Sequence, residues 1–354
     1  MQRDVFDQMR ARGTRREAVL VSERRWSASY TADMTIPVID LAGFSTGSEA
    51  ARVAVGRRVD RACVEVGFFS VVGHDIDQQI IDEAHAAALE FFDMPLDDRM
   101  GAAKPDPTYP YGYAPFSTEA LNRSIGGSSV PDLKEAYSVG PLAEPPRPLD
   151  EMTDVNERAV WAPTLWPAAM PSLRPSLERY YFAMADLART VMNTFAYALD
   201  RGDGWFDPFI DEHGSALRLA HYPALSSAPD PGALRAGAHT DYGTLTILRL
   251  DAEPGLQVRD LEGNWFDVEA PDGALVVNLG DLMQRWTNDR WRSTMHRVVV
   301  PAGRHDKRRL TMPFFHNANW DARIECIVNE GAPPLHEPVY AGRHLMDKFR
   351  STVT

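Results

Sequence analysis

The sequence predicts an α+β fold in which a helical N-terminal half packs on a double-sheet β core. Three observations predict it. Apolar residues recur at helical spacing in several segments up to residue 199. After Trp205 the pattern changes to short runs rich in Val, Leu, Ile, Thr and aromatics, at 216–222, 244–250, 255–259, 274–279, 296–300 and 309–315. Clusters such as Asp251-Ala-Glu-Pro-Gly255 and Glu262-Gly-Asn264 separate these runs, as the turns of an antiparallel sandwich or barrel require.

Taken in order, residues 1–33 hold Arg3, Arg10, Arg12, Arg15, Arg16, Arg24 and Arg25 among few large apolar side chains, and are expected to form a frayed N-terminal extension. Ile36–Asp40 reads as a short strand. Ser48 is placed to cap a helix reaching Gly67, on which Val55, Val59, Ala62 and Val66 fall near helical spacing. Phe68–Gly73 reads as a second strand. Asp77 opens a further helix carrying Ile80, Ile81, Ala84, Ala88, Phe91 and Phe92, and Pro95 ends it. Residues 101–131, rich in Gly, Pro, Ser and Tyr, read as a long irregular loop, and 34–139 are grouped as a first region. Seven prolines between 141 and 171 make 140–171 an irregular connection. From 172 to 354 a long helix, Ser172–Leu199, precedes the β core.

A chain of 354 residues can bury a sizeable core, and 44% hydrophobic with 25% charged residues is ordinary for a globular enzyme. The net charge of −13 argues against a nucleic-acid partner, since phosphate binding needs a basic face, but leaves room for a small anionic substrate. Cys63 and Cys326, far apart, form neither a disulfide framework nor a zinc cluster. No apolar run suits a bilayer span, nor does the N-terminus carry a signal-peptide core. The expectation is a cytoplasmic protein, monomer or weak homodimer, acting on a small molecule.

The sharpest local pattern is Ala238-His239-Thr240-Asp241-Tyr242-Gly243. On a strand end, His239 and Asp241 point to the same side and can reach one ion, with a third ligand from elsewhere. His296 opens the run His296–Pro301. Two imidazoles and one carboxylate on one face of an octahedron leave three positions open, as Fe(II) needs to bind a chelating co-substrate and O2 together. Arg309-Leu310-Thr311 sets a guanidinium and a hydroxyl on one side of a strand, a natural carboxylate receptor. Each pattern alone is common; their order along one chain is not.

With these motifs the sequence resembles the isopenicillin N synthase-like branch of the Fe(II)/2-oxoglutarate-dependent oxygenases over about residues 35–340. The resemblance is carried by Ile36–Leu41, Gly67–His74, His221-Tyr-Pro223, His239–Leu248, Gly255–Val258, Asn278-Leu-Gly-Asp281, His296–Val298 and Arg309–Phe315. It implies a distorted double-stranded β-helix (jelly-roll) core flanked by helices. It also implies iron held by His239, Asp241 and His296, with Arg309 and Thr311 on the distal carboxylate of 2-oxoglutarate and Tyr222 lining that site. Plant members usually have Asn two residues before this tyrosine; here it is Ala220. The turn 301–308 is longer than usual and offers Arg304 and Arg308 as other clamps, but the place beside Thr311 and Pro-Phe-Phe favours Arg309. By the same resemblance, the loop tyrosines Tyr109, Tyr111 and Tyr113 are candidates for covering substrate; His221 and Phe315, by their place in the core strand runs, are candidates for lining the pocket.

The expected activity is hydroxylation of an unactivated C–H bond of a small organic metabolite, using Fe(II), 2-oxoglutarate and O2 and releasing succinate and CO2. Two alternatives stand beside it. One is a 2-oxoglutarate-independent oxidase of the isopenicillin N synthase type, which also carries an Arg-x-Ser pair. The other is a metal-free ligand receptor derived from the fold. Halogenation is excluded, because Asp241 fills the place a halide would need.

Overall fold

Alternating burial organises the β half around two faces. The computed structural model describes residues 35–121, 126, 130–328 and 332–353. The predicted extension 1–33 lies outside them.

In chain order the first elements are β1 (Val38–Asp40), α1 (Ala42–Ser45), α2 (Glu49–Glu65), β2 (Phe68–Val72), α3 (Gln78–Asp93) and α4 (Leu96–Met100). Then come β3 (Gly112–Ala114), β4 (Glu135–Val139), α5 (Val155–Val160), α6 (Leu173–Ala198) and α7 (Asp207–Ile210). The β core follows as β5 (Ala216–Tyr222), β6 (Ala236–His239), β7 (Leu245–Arg249), β8 (Leu256–Arg259), β9 (Trp265–Asp267) and β10 (Leu275–Leu279). After α8 (Asp281–Trp286) the chain adds β11 (His296–Val298), β12 (Arg309–Thr311), β13 (Phe314–His316), β14 (Arg323–Ile324), β15 (Val339–Tyr340) and α9 (Ala341–Val353).

The long helices start where capping chemistry allows. The Ser48 hydroxyl accepts from the Ala51 amide at 3.4 Å and the Asp77 carboxylate from the Gln79 amide at 2.9 Å, each satisfying a first-turn N–H. Helix α2 ends before Gly67, whose φ of +73° and close approach to the Arg292 carbonyl admit no side chain.

Nine strands form one sheet, ordered β1-β2-β10-β7-β13-β5-β4-β3 with β12 also on β5; four form a second, β6-β11-β8-β9. Strands β14 and β15 pair apart from both. Successive side chains on a strand point to opposite faces. On the large sheet Phe69, Val71, Leu217, Leu219, Ile247 and Val277 face the helices α2, α3 and α6 and join one apolar cluster. Their neighbours Phe68, Ala220, Tyr222, Leu248 and Val276 face Ala236, Leu256, Val258 and Val298 of the small sheet and form a second cluster. The space between the two sheets is therefore the interior of the jelly roll.

Two expectations are corrected here. The stretch 101–131 is not loop throughout: β3 pairs antiparallel with β4, Gly112 opposite Ser138. The run 309–315 is two strands, because Pro313 lacks an N–H, and β12 and β13 pair with different stretches of β5 on either side of it. Among the described residues no helix is long and apolar enough to cross a membrane.

Candidate metal and co-substrate site

Strands β6 and β11 are antiparallel neighbours with His239 directly opposite His296, so the two rings share a face and lie 4.3 Å apart between centroids. Asp241 follows the end of β6. His239 Nε2 stands 3.9 Å from Asp241 Oδ1 and His296 Nε2 3.8 Å from it. One ligand atom from each of the three residues falls within 4.8 Å of the others.

The remaining polar atoms of the three side chains are tied elsewhere. His239 Nδ1 donates to the Gly237 carbonyl at 2.7 Å and His296 Nδ1 to the Thr294 carbonyl at 3.1 Å, fixing Nε2 of each as the unprotonated nitrogen. Asp241 Oδ2 accepts from Asn278 Nδ2 at 2.7 Å and from the Thr246 hydroxyl at 2.5 Å, leaving Oδ1 toward the imidazoles. Burial and the neighbouring His296 push His239 down to about 4, so its imidazole is neutral at neutral pH. Burial would raise Asp241, but both histidines, Asn278 and Thr246 outweigh it and hold the carboxyl below its usual range. Two imidazoles and an ionised carboxylate, each with one unengaged ligand atom on a common face, fit a divalent iron.

The approach of the two supporting loops depends on a missing side chain. A Cβ on Gly280 would lie 2.2 Å from the Gly243 carbonyl. Its absence lets the Asp281 amide donate to the Asp241 carbonyl at 2.7 Å. A further support comes from Asp132, buried beside Lys134 at 2.7 Å, whose Oδ1 accepts from the Gly237 amide at 2.8 Å. The carbonyl of that same Gly237 holds His239.

Further along the interior, β12 pairs with β5 so that Arg309 faces Tyr222 and Thr311 faces Ala220. The Arg309 guanidinium lies over the Tyr222 ring, 5.4 Å from its centroid, and Nε donates to the Glu253 carbonyl at 3.0 Å. Its Nη1 is buried without a partner among the described residues. An orphaned buried guanidinium nitrogen beside a threonine is what a carboxylate would satisfy. Arg304 is engaged by both oxygens of Glu253, at 2.7 and 2.6 Å, and Arg308 pairs with Asp93 at 2.6 Å.

The other sequence candidates divide by sheet face. Phe315 is opposite Thr246, whose hydroxyl reaches Asp241, so its ring is on the triad side; Phe314 packs edge-on against Tyr181 among the helices. For His221, pleat alternation turns the ring away from Tyr222, to stack on Phe92 of α3 with Nδ1 on Glu135 at 2.8 Å. Tyr113 is on that same outer face, against Phe91 and hydrogen-bonded to Glu135. Tyr111 donates to the Val160 carbonyl and Tyr109 to the Pro163 carbonyl, each at 2.6 Å, anchoring the Pro-rich connection. Sequence reasoning did not single out Thr246 and Asn278 as supports of Asp241, although both lie in quoted motifs. Asp132 and Arg235 carried no pattern at all, because only the fold brings them in.

Comparison with known proteins agrees with this architecture. Residues 36–169 match a family model described as non-haem dioxygenase in morphine synthesis N-terminal, and residues 213–318 match the 2OG-Fe(II) oxygenase superfamily. The 2-oxoglutarate-Fe(II) type oxidoreductase hxnY of Emericella nidulans is 34% identical over 311 residues, 86% of each chain. Proline hydroxylase buaE of Petromyces alliaceus is 32% identical over 277 residues, 76% of this chain and 82% of that one. A full-length Neurospora crassa protein, crystallised in complex with alpha-KG and thymine, superposes with a TM-score of 0.77 at 28% identity, covering 90% of this chain and 97% of that one. The chain belongs to the Fe(II)/2-oxoglutarate-dependent oxygenases of the isopenicillin N synthase-like type. It is a hydroxylating dioxygenase that uses Fe(II), with 2-oxoglutarate and O2 as co-substrates. The relatives' 2-oxoglutarate chemistry disfavours both the oxidase and the receptor alternatives.

Proposed function

We propose that His239, Asp241 and His296 hold the iron, that Arg309 and Thr311 hold the distal carboxylate of 2-oxoglutarate with Tyr222 lining that site, and that the substrate is a small organic metabolite. The observation that carries this reading is the triad, half-buried at His239 and buried at Asp241 and His296, with Nε2, Nε2 and Oδ1 clustered and every other polar atom of those side chains engaged. When bound, iron and 2-oxoglutarate supply the oxidant that hydroxylates a C–H bond, with succinate and CO2 released.

The chain's residues bind, orient and exclude water. Asn278 and Thr246 keep Asp241 ionised and aimed, and the Gly237 and Thr294 carbonyls set the histidine tautomers. Phe68 packs edge-on against His296 at 5.4 Å, and Val258 and Val276 extend the apolar wall between the sheets. Phe315 offers the substrate an aromatic surface on the triad side. Small metabolites are also what two relatives name, proline in one and thymine in the other. Residues 34–139, 140–171 and 172–354 serve on this reading as frame, connection and catalytic body.

The test is anaerobic titration with Fe(II) and then 2-oxoglutarate, followed by O2 uptake and succinate release across a panel of amino acids, nucleobases and secondary metabolites. Substrate-stimulated succinate release supports the reading. Oxidation of a metabolite that proceeds equally without 2-oxoglutarate would return the oxidase alternative.

A further inference from the structure

A second buried guanidinium stands near Arg309. Arg235 immediately precedes β6 and is 2% exposed. It lies against the turn before β12, within electrostatic reach of both Arg309 and Tyr222. Its Nη2 donates to the Lys307 carbonyl at 2.5 Å, two residues before Arg309, while its Nη1 is buried with no partner among the described residues. Each arginine is thus steered by one carbonyl, Arg309 by Glu253 and Arg235 by Lys307, and each keeps an unsatisfied Nη1.

The arginines at this end are unequally partnered. Glu253 is engaged by Nε and Nη2 of Arg304, and Asp251 accepts from the Leu310 and Glu253 amides at 2.8 Å each. Arg304 is therefore paired, whereas Arg235 and Arg309 each keep a buried Nη1 with no partner among the described residues. Burial, together with the charge of Arg309, depresses Arg235. Two like charges with orphaned donors are costly out of water unless an anion reaches both, and a carboxylate has two oxygens to offer them.

We propose that Arg235 is a second anchor for the distal carboxylate of 2-oxoglutarate, acting beside Arg309. The proposal rests on the reading of Arg309 as the first anchor. A two-arginine clamp selects a 2-oxo acid with a far carboxylate over one that ends in a methyl group.

The test is anaerobic calorimetry on the Fe(II)-loaded full chain, with 2-oxoglutarate and with 2-oxopentanoate, which carries a methyl in place of the distal carboxylate. Arg235→Gln should weaken 2-oxoglutarate about 10- to 100-fold, as loss of a charge-assisted contact does, and leave 2-oxopentanoate unchanged. Unaltered 2-oxoglutarate affinity, or equal weakening of both acids, overturns the proposal, the latter showing a role in shaping the turn. If Arg235→Gln does not fold, Arg235→Lys serves in its place: a point charge without the fork should give a smaller loss, again confined to 2-oxoglutarate. Arg309→Ala run alongside separates the two readings: if it leaves 2-oxoglutarate binding intact, the first anchor is wrong whatever Arg235 does.

Discussion

Asn278 donates its side-chain N–H to Asp241 Oδ2 at 2.7 Å, from a strand that reaches the carboxylate only because β10 pairs with β7. Register puts Asn278 opposite Thr246, so two donors from adjacent strands converge on one oxygen. Supports of this kind are worth about 10- to 100-fold in metal affinity. Asn278→Ala should therefore weaken Fe(II) binding by about that factor, read by anaerobic titration, with little change in fold by circular dichroism. Unchanged affinity would mean that Thr246 alone suffices to orient the carboxylate.

The three proposed ligands should behave differently from their support. His239→Ala, Asp241→Ala and His296→Ala each remove a donor from a set of three, and each should abolish both stoichiometric Fe(II) binding and substrate-stimulated succinate release. A variant that retains full turnover would exclude its residue from the site.

Much of this was legible before any coordinates, for a physical reason. His239, Asp241, His296, Arg309 and Thr311 lie in short patterns whose period-two spacing sets side chains on one strand face, so local sequence carries the geometry. Helices α2, α3 and α6 were equally legible from apolar spacing and, for α2 and α3, from their caps. What was not legible depends on pairing between distant strands. His221 and Tyr222 are adjacent in sequence and face opposite ways, and nothing in the chain says which of them looks inward. Tyr109, Tyr111 and Tyr113 lie in a stretch whose composition reads as loop, yet β3 forms there because β4 offers it an edge. Arg235 shows no periodic partner and becomes notable only when the turn before Arg309 folds onto it.

Arg309 and Arg308 are neighbours with opposite fates, which gives a clean contrast. Arg309 is buried over Tyr222, whereas Arg308 pairs at the surface with Asp93. Arg309→Ala should raise the 2-oxoglutarate requirement roughly 10- to 150-fold by deleting a contact worth about 1.5–3 kcal/mol. Arg308→Ala should leave it within about twofold, since exposed ion pairs contribute little. Succinate release measured against 2-oxoglutarate concentration would reveal the reverse order if the clamp were misassigned.

Asp251 makes the co-substrate end of the fold sensitive to acid. Burial would raise its carboxyl, but His85, the amides of Glu253 and Leu310 and the charge of Arg309 together hold it at about 2, below its ordinary 3.8. A carboxyl depressed on folding contributes stability that is fully present above its unfolded value and is lost as pH falls through its folded value. The contribution should therefore be complete at pH 7, begin to fade near pH 4, and be gone below about 2. Because the group is partly solvated, roughly 1–2 kcal/mol is expected once screening is allowed for. Asp251→Asn removes the charge and keeps an acceptor for only one of the two amides. Urea unfolding of the two proteins should show a gap of that size at pH 7, narrowing between pH 4 and pH 3. A gap that stays constant over that range would assign the effect to packing. Since Asp251 also holds the Leu310 amide at 2.8 Å, between Arg309 and Thr311, the variant should bind 2-oxoglutarate several-fold more weakly at pH 7.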